Sequence, residues 1–299
     1  MTVKPDKYTL TDGHTAVTIN SKGAELSSVV RNGIEYMWDA NPEYWGRTAP
    51  VLFPFVGSLK GKQYRHGGVT YPMGQHGFAR DMEFELVSRS DMKITMALTD
   101  NEETLRIYPF HFRLEISYEL NGGSLTVEWR VVNTGDESLY FSIGGHPAFM
   151  CPLNGEGAQN DYTIRLYKDG SPLAGFDCTY LTSEGTALKE KVRLGTPEGV
   201  LSVSGELFMK DALILEGRQA DKVSLAKPDG TEYVTVEFDA PLVGLWSPAG
   251  KNAPFVCIEP WYGRCDGEDF DGELKEREWG NTLAAGEEFC KSYKVAFGE

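Results

Sequence analysis

The sequence predicts an all-β protein, because strand-like segments joined by short turns recur along its 299 residues and helical segments are scarce. Between positions 114 and 131, apolar residues alternate with polar ones on both sides of the turn Asn121-Gly122-Gly123. Alternation with a period of two around such a turn is typical of a hairpin whose strands bury one face. The segments 223–226 and 233–238, separated by Pro228-Asp229-Gly230, predict a second pair. A third pair is expected at 82–88 and 93–98.

Helix signals are confined to one short segment. From Asp100 to Ile107 an N-cap candidate precedes helix-forming residues, and Pro109 ends the segment. The chain has no G-x-G-x-x-G motif, internal repeat or Ser/Pro-rich linker. We therefore expect one antiparallel β domain over residues 1–299.

The charge balance excludes some classes of partner. With 29 basic and 44 acidic side chains the net charge is −15, and such a field repels nucleic acid and anionic membranes. The dense acidic stretch 266–278 predicts a solvated loop.

Targeting signals and cysteine usage favour a cytoplasmic location. The most apolar stretch, 49–57, is interrupted by Pro50 and Pro54 and falls far short of the about 18 apolar residues of a transmembrane helix. The first residues contain no apolar segment, so no secretory signal is expected. The five cysteines are widely spaced and form no C-x-x-C motif, which fits a reducing compartment.

Three segments place a reactive side chain among glycines, prolines and aromatic residues at a point where a strand breaks off. They are residues 74–80 (GQHGFAR), 142–149 (SIGGHPAF) and 255–263 (FVCIEPWYG). A histidine in such a turn, like His76 or His146, is often structural. Glu259 is harder to explain structurally, because it lies between Ile258 and Pro260 and a buried unpaired carboxylate costs several kcal/mol.

In their order and spacing these motifs resemble the aldose 1-epimerase (galactose mutarotase-like) family, most closely its LacX-type branch. The resemblance runs from residue 19 to the last predicted strand near Tyr293. Its most specific segments are residues 45–59, 74–80, 144–149, 207–215 and 255–263. It implies a β-supersandwich of antiparallel sheets with a sugar cleft on one face.

The resemblance also implies roles for individual residues. Glu259 matches the family's general base, and His146 matches its general acid. His76 matches the histidine that binds the sugar near its ring oxygen, and Asp211 the carboxylate that holds sugar hydroxyls.

The sequence departs from the family pattern at Ser58, where many members carry a substrate-binding arginine. Arg47 and Arg80 are the candidates to supply the missing guanidinium. Trp246 and Trp261 are candidate stacking surfaces for the C–H face of a sugar.

The implied reaction interconverts sugar anomers by opening and reclosing the hemiacetal ring. A base removes the proton of the C1 hydroxyl while an acid protonates the ring oxygen, and the two groups exchange roles on closure. A histidine titrates in the required range, whereas a glutamate needs burial to raise its pKa. This chemistry requires no metal and no cofactor, and the expected partner is a small-molecule sugar.

Three alternatives stay open at the level of sequence. Two histidines and a carboxylate also resemble a non-haem iron site, although about 70 residues separate the histidines. A non-catalytic carbohydrate-binding or sensing protein would keep the aromatic residues and Asp211 without needing Glu259 or His146. A hexose-6-phosphate 1-epimerase should show clustered basic residues for the phosphate. The sequence leaves the sugar and the oligomeric state open.

Overall fold

Two large antiparallel sheets dominate the protein in a computed structural model that describes residues 5–298. The first strands are β1 (Lys7–Thr11), β2 (Thr15–Asn20), β3 (Leu26–Arg31), β4 (Ile34–Glu35), β5 (Val51–Leu52), β6 (Gln63–His66), β7 (Val69–Pro72), β8 (Glu85–Arg89) and β9 (Lys93–Thr99). Helix α1 (Glu102–Ile107) follows, and then β10 (Phe112–Asn121), β11 (Ser124–Asn133), β12 (Leu139–Phe141), β13 (Ile143–Gly145), β14 (Ala148–Met150), β15 (Thr163–Lys168), β16 (Ser171–Pro172), β17 (Gly175–Leu181), β18 (Ala187–Gly195) and β19 (Val200–Ser202). The remaining strands are β20 (Leu213–Glu216), β21 (Lys222–Ala226), β22 (Glu232–Phe238), β23 (Leu242–Trp246), β24 (Phe255–Tyr262), β25 (Asn281–Leu283) and β26 (Glu288–Phe297). Short 3-10 turns occupy Lys60–Lys62, Ala79–Asp81, Leu153–Gly155, Gln159–Asp161, Pro197–Gly199 and Leu274–Glu276.

The strands do not follow sequence order within the sheets. The larger sheet has ten strands in the order β16-β15-β21-β22-β26-β11-β10-β9-β8, with β19 also paired to β15. The second has eight strands in the order β18-β17-β20-β23-β24-β13-β5, with β14 also paired to β24. A four-stranded sheet contains β1, β2, β3 and β4 in sequence order, and two small sheets pair β6 with β7 and β12 with β25. This architecture confirms the predicted all-β class.

The predicted hairpins are present. Strands β10 and β11 pair from end to end, with Leu120 opposite Leu125, and β21 pairs with β22. The third pair is also present, but β8 begins at Glu85, three residues later than predicted. The preceding residues bond elsewhere, because the amide of Met82 donates to Ala79 and that of Phe84 donates to Ser21.

The predicted helix starts two residues later than Asp100. The side chain of Asn101 accepts hydrogen bonds from the backbone N–H groups of Glu103 and Thr104, so Asn101 is the N-cap. Among residues 5–298, no helix is long and apolar enough to cross a membrane. All five cysteines are free thiols.

Strand β24 is buried on both faces, and each face packs against a different set of residues. Val256, Ile258 and Tyr262 belong to the large core between the sheets. Trp261 and Cys257, on the opposite face, belong to separate apolar clusters. Across the core, the ring of Tyr262 meets Trp129 of β11 edge-on, with centroids 6.3 Å apart. Fully burying a large apolar side chain stabilises the fold by roughly 1.5–3 kcal/mol. The core therefore holds β24 in a fixed orientation.

The acidic stretch 266–278 is largely the solvated loop that its composition predicted, with Glu268, Asp269, Asp271, Glu276 and Glu278 exposed, but Asp266 is buried. Arg277 Nε lies 2.6 Å from Asp266 Oδ1, and both side chains are only 3% exposed. The same guanidinium donates to the carbonyl oxygen of Arg264 at 2.8 Å. Arg277 thus anchors one end of the loop through Asp266, an exception that the acidic composition alone does not reveal.

Replacing Arg277 by methionine should lower the free energy of unfolding by about 3–5 kcal/mol, because Asp266 would be left buried without its partner. Urea unfolding measures the change. The matched control is Lys93→Met, which breaks an ion pair whose side chains are 49% and 51% exposed, and it should cost at most about 1 kcal/mol. Equal effects of the two substitutions would contradict the structural role of Arg277.

Candidate active site

His146 and Glu259 lie opposite each other because of the register between neighbouring strands. Gly144 of β13 pairs with Trp261 of β24, and Ala148 of β14 pairs with Cys257. Continuing this register across the gap between β13 and β14 brings His146 level with Glu259. The His146 Nε2 and Glu259 Oε2 atoms are 3.3 Å apart.

Glycines on both neighbouring strands make room for the Trp261 ring. A Cβ atom added at Gly144 would lie 2.5 Å from the Trp261 ring, and one added at Gly244 of β23 would lie 2.6 Å from it. Only glycine fits at either position without moving the indole. Gly244 is also the partner of Glu259 in the β23–β24 ladder, so no side chain crowds the carboxylate from that strand.

Burial pushes both members of the pair toward their uncharged forms. Glu259 is 1% exposed, and its pKa is raised well above the usual glutamate value by burial first and by the negative charge of Asp211 second. The indole nitrogen of Trp261 makes no hydrogen bond within residues 5–298. Burial, together with the positive charges of Arg80 and Arg47, lowers the pKa of His146 to about 3.

The pair lines a cavity of about 280 Å³, the inner cavity, together with His76, Arg80, Asp211, Trp246 and Trp261. Four buried side-chain atoms of these residues have no hydrogen-bond partner within residues 5–298: Glu259 Oε2, His146 Nδ1, Trp261 Nε1 and Arg80 Nε. The contact between His146 and Glu259 is close but does not have hydrogen-bond geometry. Buried polar atoms are nearly always paired, so this concentration of unpaired ones indicates a site built for a polar ligand.

His76 is held in one tautomer by the backbone. Its φ of 66° lies in the left-handed region, and its Nδ1 accepts a hydrogen bond of 3.0 Å from the amide of Gly57. Nδ1 is therefore an acceptor, and in the neutral ring the proton resides on Nε2. Burial lowers the pKa of His76 well below its usual value, with the nearby His146 and Arg80 acting in the same direction. His76 is thus a neutral hydrogen-bond donor to the cavity.

The structure separates the two candidate arginines. Arg80 lines the inner cavity and donates to the carbonyl oxygen of Gln75 at 2.7 Å. Arg47 does not line this cavity; it forms an ion pair with Asp81 at 2.9 Å. Its charge still lowers the pKa values of His146 and His76.

A wider cleft of about 950 Å³, the outer cleft, adjoins the inner cavity. Asp211 and Trp246 line both spaces, so they stand at the boundary, whereas Ser58 lines only the outer cleft. Asp211 adopts a φ of 69°, and its Oδ1 accepts from the amide of Ala212 at 2.8 Å. The local turn therefore fixes the orientation of this carboxylate.

Two cavity residues, Trp45 and Gln75, and the neighbouring Cys257 were missed at the level of sequence. The ring of Trp45 stacks on His146 with centroids 4.7 Å apart and an angle of 28°. Gln75 also lines the inner cavity, and Cys257 lies beside the pair. Trp45 and Gln75 each belong to a motif that the family resemblance had singled out, so their motif membership was the available signal.

Potential metal ligands near the pair differ from the set suggested by the sequence. His146, Cys257 and Glu259 have ligand atoms within 4.8 Å of one another, so Cys257 takes the place proposed for His76. A thiol must be deprotonated to bind a metal tightly. Burial raises the pKa of the Cys257 thiol well above its usual value, and so does the charge of Glu259. This set of three side chains is therefore poorly suited to binding a metal ion.

Comparisons with known proteins agree with this geometry. The family model described as aldose 1-epimerase matches residues 6–289. A curated relative, the chromosomal protein LacX of Lactococcus lactis subsp. lactis, is 32% identical over 262 residues, covering 85% of this chain and 87% of that protein.

Two solved structures share the fold at recognisable sequence identity. A galactose mutarotase related enzyme from Lactobacillus acidophilus is 37% identical, with a TM-score of 0.90 and coverage of 98% of both chains. A galactose mutarotase-like protein from Lactobacillus casei is 31% identical, with a TM-score of 0.87 and coverage of 98% of this chain and 100% of that one. The chain therefore belongs to the aldose 1-epimerase family of isomerases and has the galactose mutarotase-like fold.

Proposed function

We propose that this enzyme interconverts the α and β anomers of a hexose, with Glu259 as general base and His146 as general acid. The single observation that carries the proposal is the buried pair, whose Nε2 and Oε2 atoms are 3.3 Å apart at the edge of a cavity lined by unpaired polar atoms. Two titratable groups at this distance are able to reach the C1 hydroxyl and the ring oxygen of one sugar, since both oxygens are bonded to the same carbon.

In the proposed reaction, Glu259 accepts the proton of the C1 hydroxyl while His146 donates a proton to the ring oxygen. The bond between C1 and the ring oxygen breaks, and C1 becomes an aldehyde carbon. Rotation about the C1–C2 bond then presents the other face of the aldehyde. Ring closure reverses both proton transfers, so the enzyme returns to its initial state.

The proposed reaction requires a pair that holds one proton in total. In the free site, burial favours neutral His146 beside protonated Glu259, since it lowers the pKa of one group and raises that of the other. The form with a cationic histidine and an anionic carboxylate contains the same number of protons. The resting pair becomes the active pair when the proton moves from Glu259 to His146, which requires a small reorientation because the 3.3 Å contact lacks hydrogen-bond geometry.

The other cavity residues are proposed to bind and orient the sugar. The Nε2–H of His76 donates to the ring oxygen region, and Asp211 and Arg80 bind hydroxyl groups. Trp246 and Trp261 supply apolar surfaces for the C–H face of the ring. Arg47 acts only through its charge, because it does not line the cavity.

Two alternatives have less support. A phosphosugar epimerase would place cations near the mouth of the cavity, but the lysines of the outer cleft have other contacts. Lys251 donates to the carbonyl oxygens of Glu43 and Tyr44, and Lys210 lies 5.0 Å from the Tyr180 ring. A binding protein without turnover gives no reason to bury Glu259 beside His146. We also propose a cytoplasmic location, because all five cysteines are free thiols.

Glu259→Gln and His146→Asn should each reduce the rate of anomer interconversion by about 10²–10⁴, because each removes one proton-transfer group. The measurement is NMR of pure α-glucose and α-galactose relaxing to equilibrium, with and without enzyme. Thermal unfolding and sugar binding serve as controls, and both should be retained. A folded variant with the full wild-type rate would exclude that residue from the proton transfers.

The rate should show a bell-shaped pH profile, since only the one-proton pair is active. The acid limb reports protonation of His146 and should lie below the usual histidine range, because burial lowers that pKa to about 3. The alkaline limb reports loss of the last proton from Glu259, whose pKa Asp211 raises. Asp211→Asn should therefore move the alkaline limb to lower pH. The control is Asp136→Asn, which alters an exposed carboxylate outside the site and should leave the alkaline limb unchanged. An alkaline limb that does not move in the Asp211→Asn variant would contradict the electrostatic coupling between Asp211 and Glu259.

The activity should survive prolonged treatment with a chelator such as EDTA, because the Cys257 thiol is poorly prepared to bind a metal. The check combines the anomer assay with elemental analysis of the purified protein. Loss of activity that returns on adding one specific metal would overturn the acid/base assignment in favour of a metal-dependent reaction.

A further inference from the structure

We propose that Trp45 is a positioning residue for the anomer interconversion, because its indole face stabilises the cationic form of His146 and holds the plane of the imidazole ring. This inference rests on the proposed function, in which His146 carries a positive charge in the active pair. Three features support it: the stacking of the two rings, the unpaired second nitrogen of the imidazole, and the fixed position of the indole.

The rings of Trp45 and His146 lie nearly face to face. Their centroids are 4.7 Å apart, and their planes differ by 28°. Two other rings contact the imidazole, Trp246 at 5.4 Å and His76 at 5.7 Å, but both are nearly perpendicular to it. A cation within about 6 Å of a ring centroid is attracted by the negative face of the ring, and tryptophan gives the strongest interaction of this kind. Trp45 therefore presents a favourable π face to a charged imidazole.

The active pair requires an imidazolium that its surroundings otherwise disfavour. Burial and the positive charges of Arg80 and Arg47 act against a cationic His146. The Nε2 atom of His146 faces Glu259, but its buried Nδ1 has no hydrogen-bond partner within residues 5–298. In many functional histidines this second nitrogen bonds a carboxylate or a backbone carbonyl, which orients the ring. Here the stacked indole orients the ring and opposes its positive charge from the face.

Hydrogen bonds to the backbone hold Trp45 in place. Its amide donates to the carbonyl oxygen of Asn41 at 3.0 Å, and its carbonyl oxygen accepts from Nε1 of Trp38 at 2.8 Å. The ammonium group of Lys251 donates to the carbonyl oxygens of residues 43 and 44, directly before it. An electrostatic partner that is already in position needs no reorganisation when charge develops in the reaction. The indole is therefore ready before His146 becomes charged.

A direct contact with the sugar is the competing explanation, because Trp45 lines both the inner cavity and the outer cleft. The two roles differ in their kinetic signature. Loss of an interaction that exists only while His146 is charged lowers kcat and kcat/KM equally. Loss of a sugar contact made equally in the bound complex and the transition state raises KM and leaves kcat unchanged. The effect on KM therefore separates the two explanations.

The first test replaces Trp45 by a series of fluorinated tryptophans, inserted at this position by amber suppression. Each added fluorine withdraws electron density from the π face and changes the size of the indole little, so the attraction for a cation weakens while the packing is kept. NMR of pure α-glucose and α-galactose relaxing to equilibrium measures kcat and KM. We expect kcat to fall stepwise with the number of fluorines, by about tenfold for the tetrafluorinated ring, with KM unchanged.

The matched control is the same fluorinated series at Trp279. This tryptophan is 36% exposed and lines neither the inner cavity nor the outer cleft. Its substitution should leave both kcat and KM at their wild-type values. A stepwise fall at Trp45 alone would therefore report the electrons of the stacked ring and no general effect of fluorine on the protein.

Conventional variants test the same point by a second route. Trp45→Leu keeps apolar volume without a π face and should lower kcat by about tenfold. Trp45→Phe keeps an aromatic face that attracts a cation less strongly than indole does, so it should restore part of this loss. Thermal unfolding shows whether each variant is folded. The fluorinated series retains the indole, so it decides the question even if Trp45→Leu does not fold.

The outcomes separate this inference from the proposed function. A kcat that stays constant across the fluorinated series of an active enzyme overturns the role of Trp45 and leaves the anomer interconversion standing. A rise in KM at constant kcat overturns it in favour of a direct sugar contact. Equal losses of kcat in folded Trp45→Phe and Trp45→Leu also overturn it, because shape alone would then explain the effect. Absence of acceleration by the wild-type protein with both sugars overturns both proposals.

Discussion

The register between β24 and the broken strand formed by β13 and β14 is the constraint on which the site depends. It brings His146 level with Glu259 and fixes the 3.3 Å separation of their reactive atoms. A shift of one residue would turn the carboxylate into the core between the sheets, because side chains alternate across a strand. The glycines at 144 and 244 leave room on both neighbouring strands for the Trp261 ring. Strand pairing, more than any loop, therefore determines the geometry of the proposed catalytic pair.

The burial of the pair also determines the protonation states of its two side chains. Withdrawing two titratable groups from water raises the pKa of the Glu259 carboxyl and lowers the pKa of the His146 imidazole. These opposite shifts favour the uncharged form of the pair, in which the shared proton resides on Glu259. Arg80, Arg47 and Asp211 then adjust the balance from the periphery. The site thus combines two buried titratable side chains with a small number of nearby charged side chains.

Much of this architecture could be predicted from the sequence, because the relevant signals are local. The hairpin at 112–133 follows from alternation around Asn121-Gly122-Gly123, and Glu259 was identified from its apolar neighbours. What could not be predicted depends on contacts between distant segments. The stack of Trp45 on His146 joins residues about 100 positions apart, and Arg80 was separable from Arg47 only once the cavity was formed. The burial of Asp266 with Arg277 was hidden for a different reason, since an acidic composition does not distinguish a paired carboxylate from a hydrated one.

The division of labour between strands and loops has an evolutionary consequence. Glu259 lies on a central strand buried on both faces, and His146 joins two strands that pair with it, so few substitutions nearby are tolerated without loss of folding. Many residues that line the outer cleft lie instead in connecting segments, such as 182–185 and 209–211, although Leu188, Glu190 and Val192 lie on the edge strand β18. Connecting segments accept substitutions and insertions far more readily than buried strands. The enzyme can therefore diverge in substrate range while its reaction stays the same, and paralogues that act on different sugars can arise from changes confined to the rim.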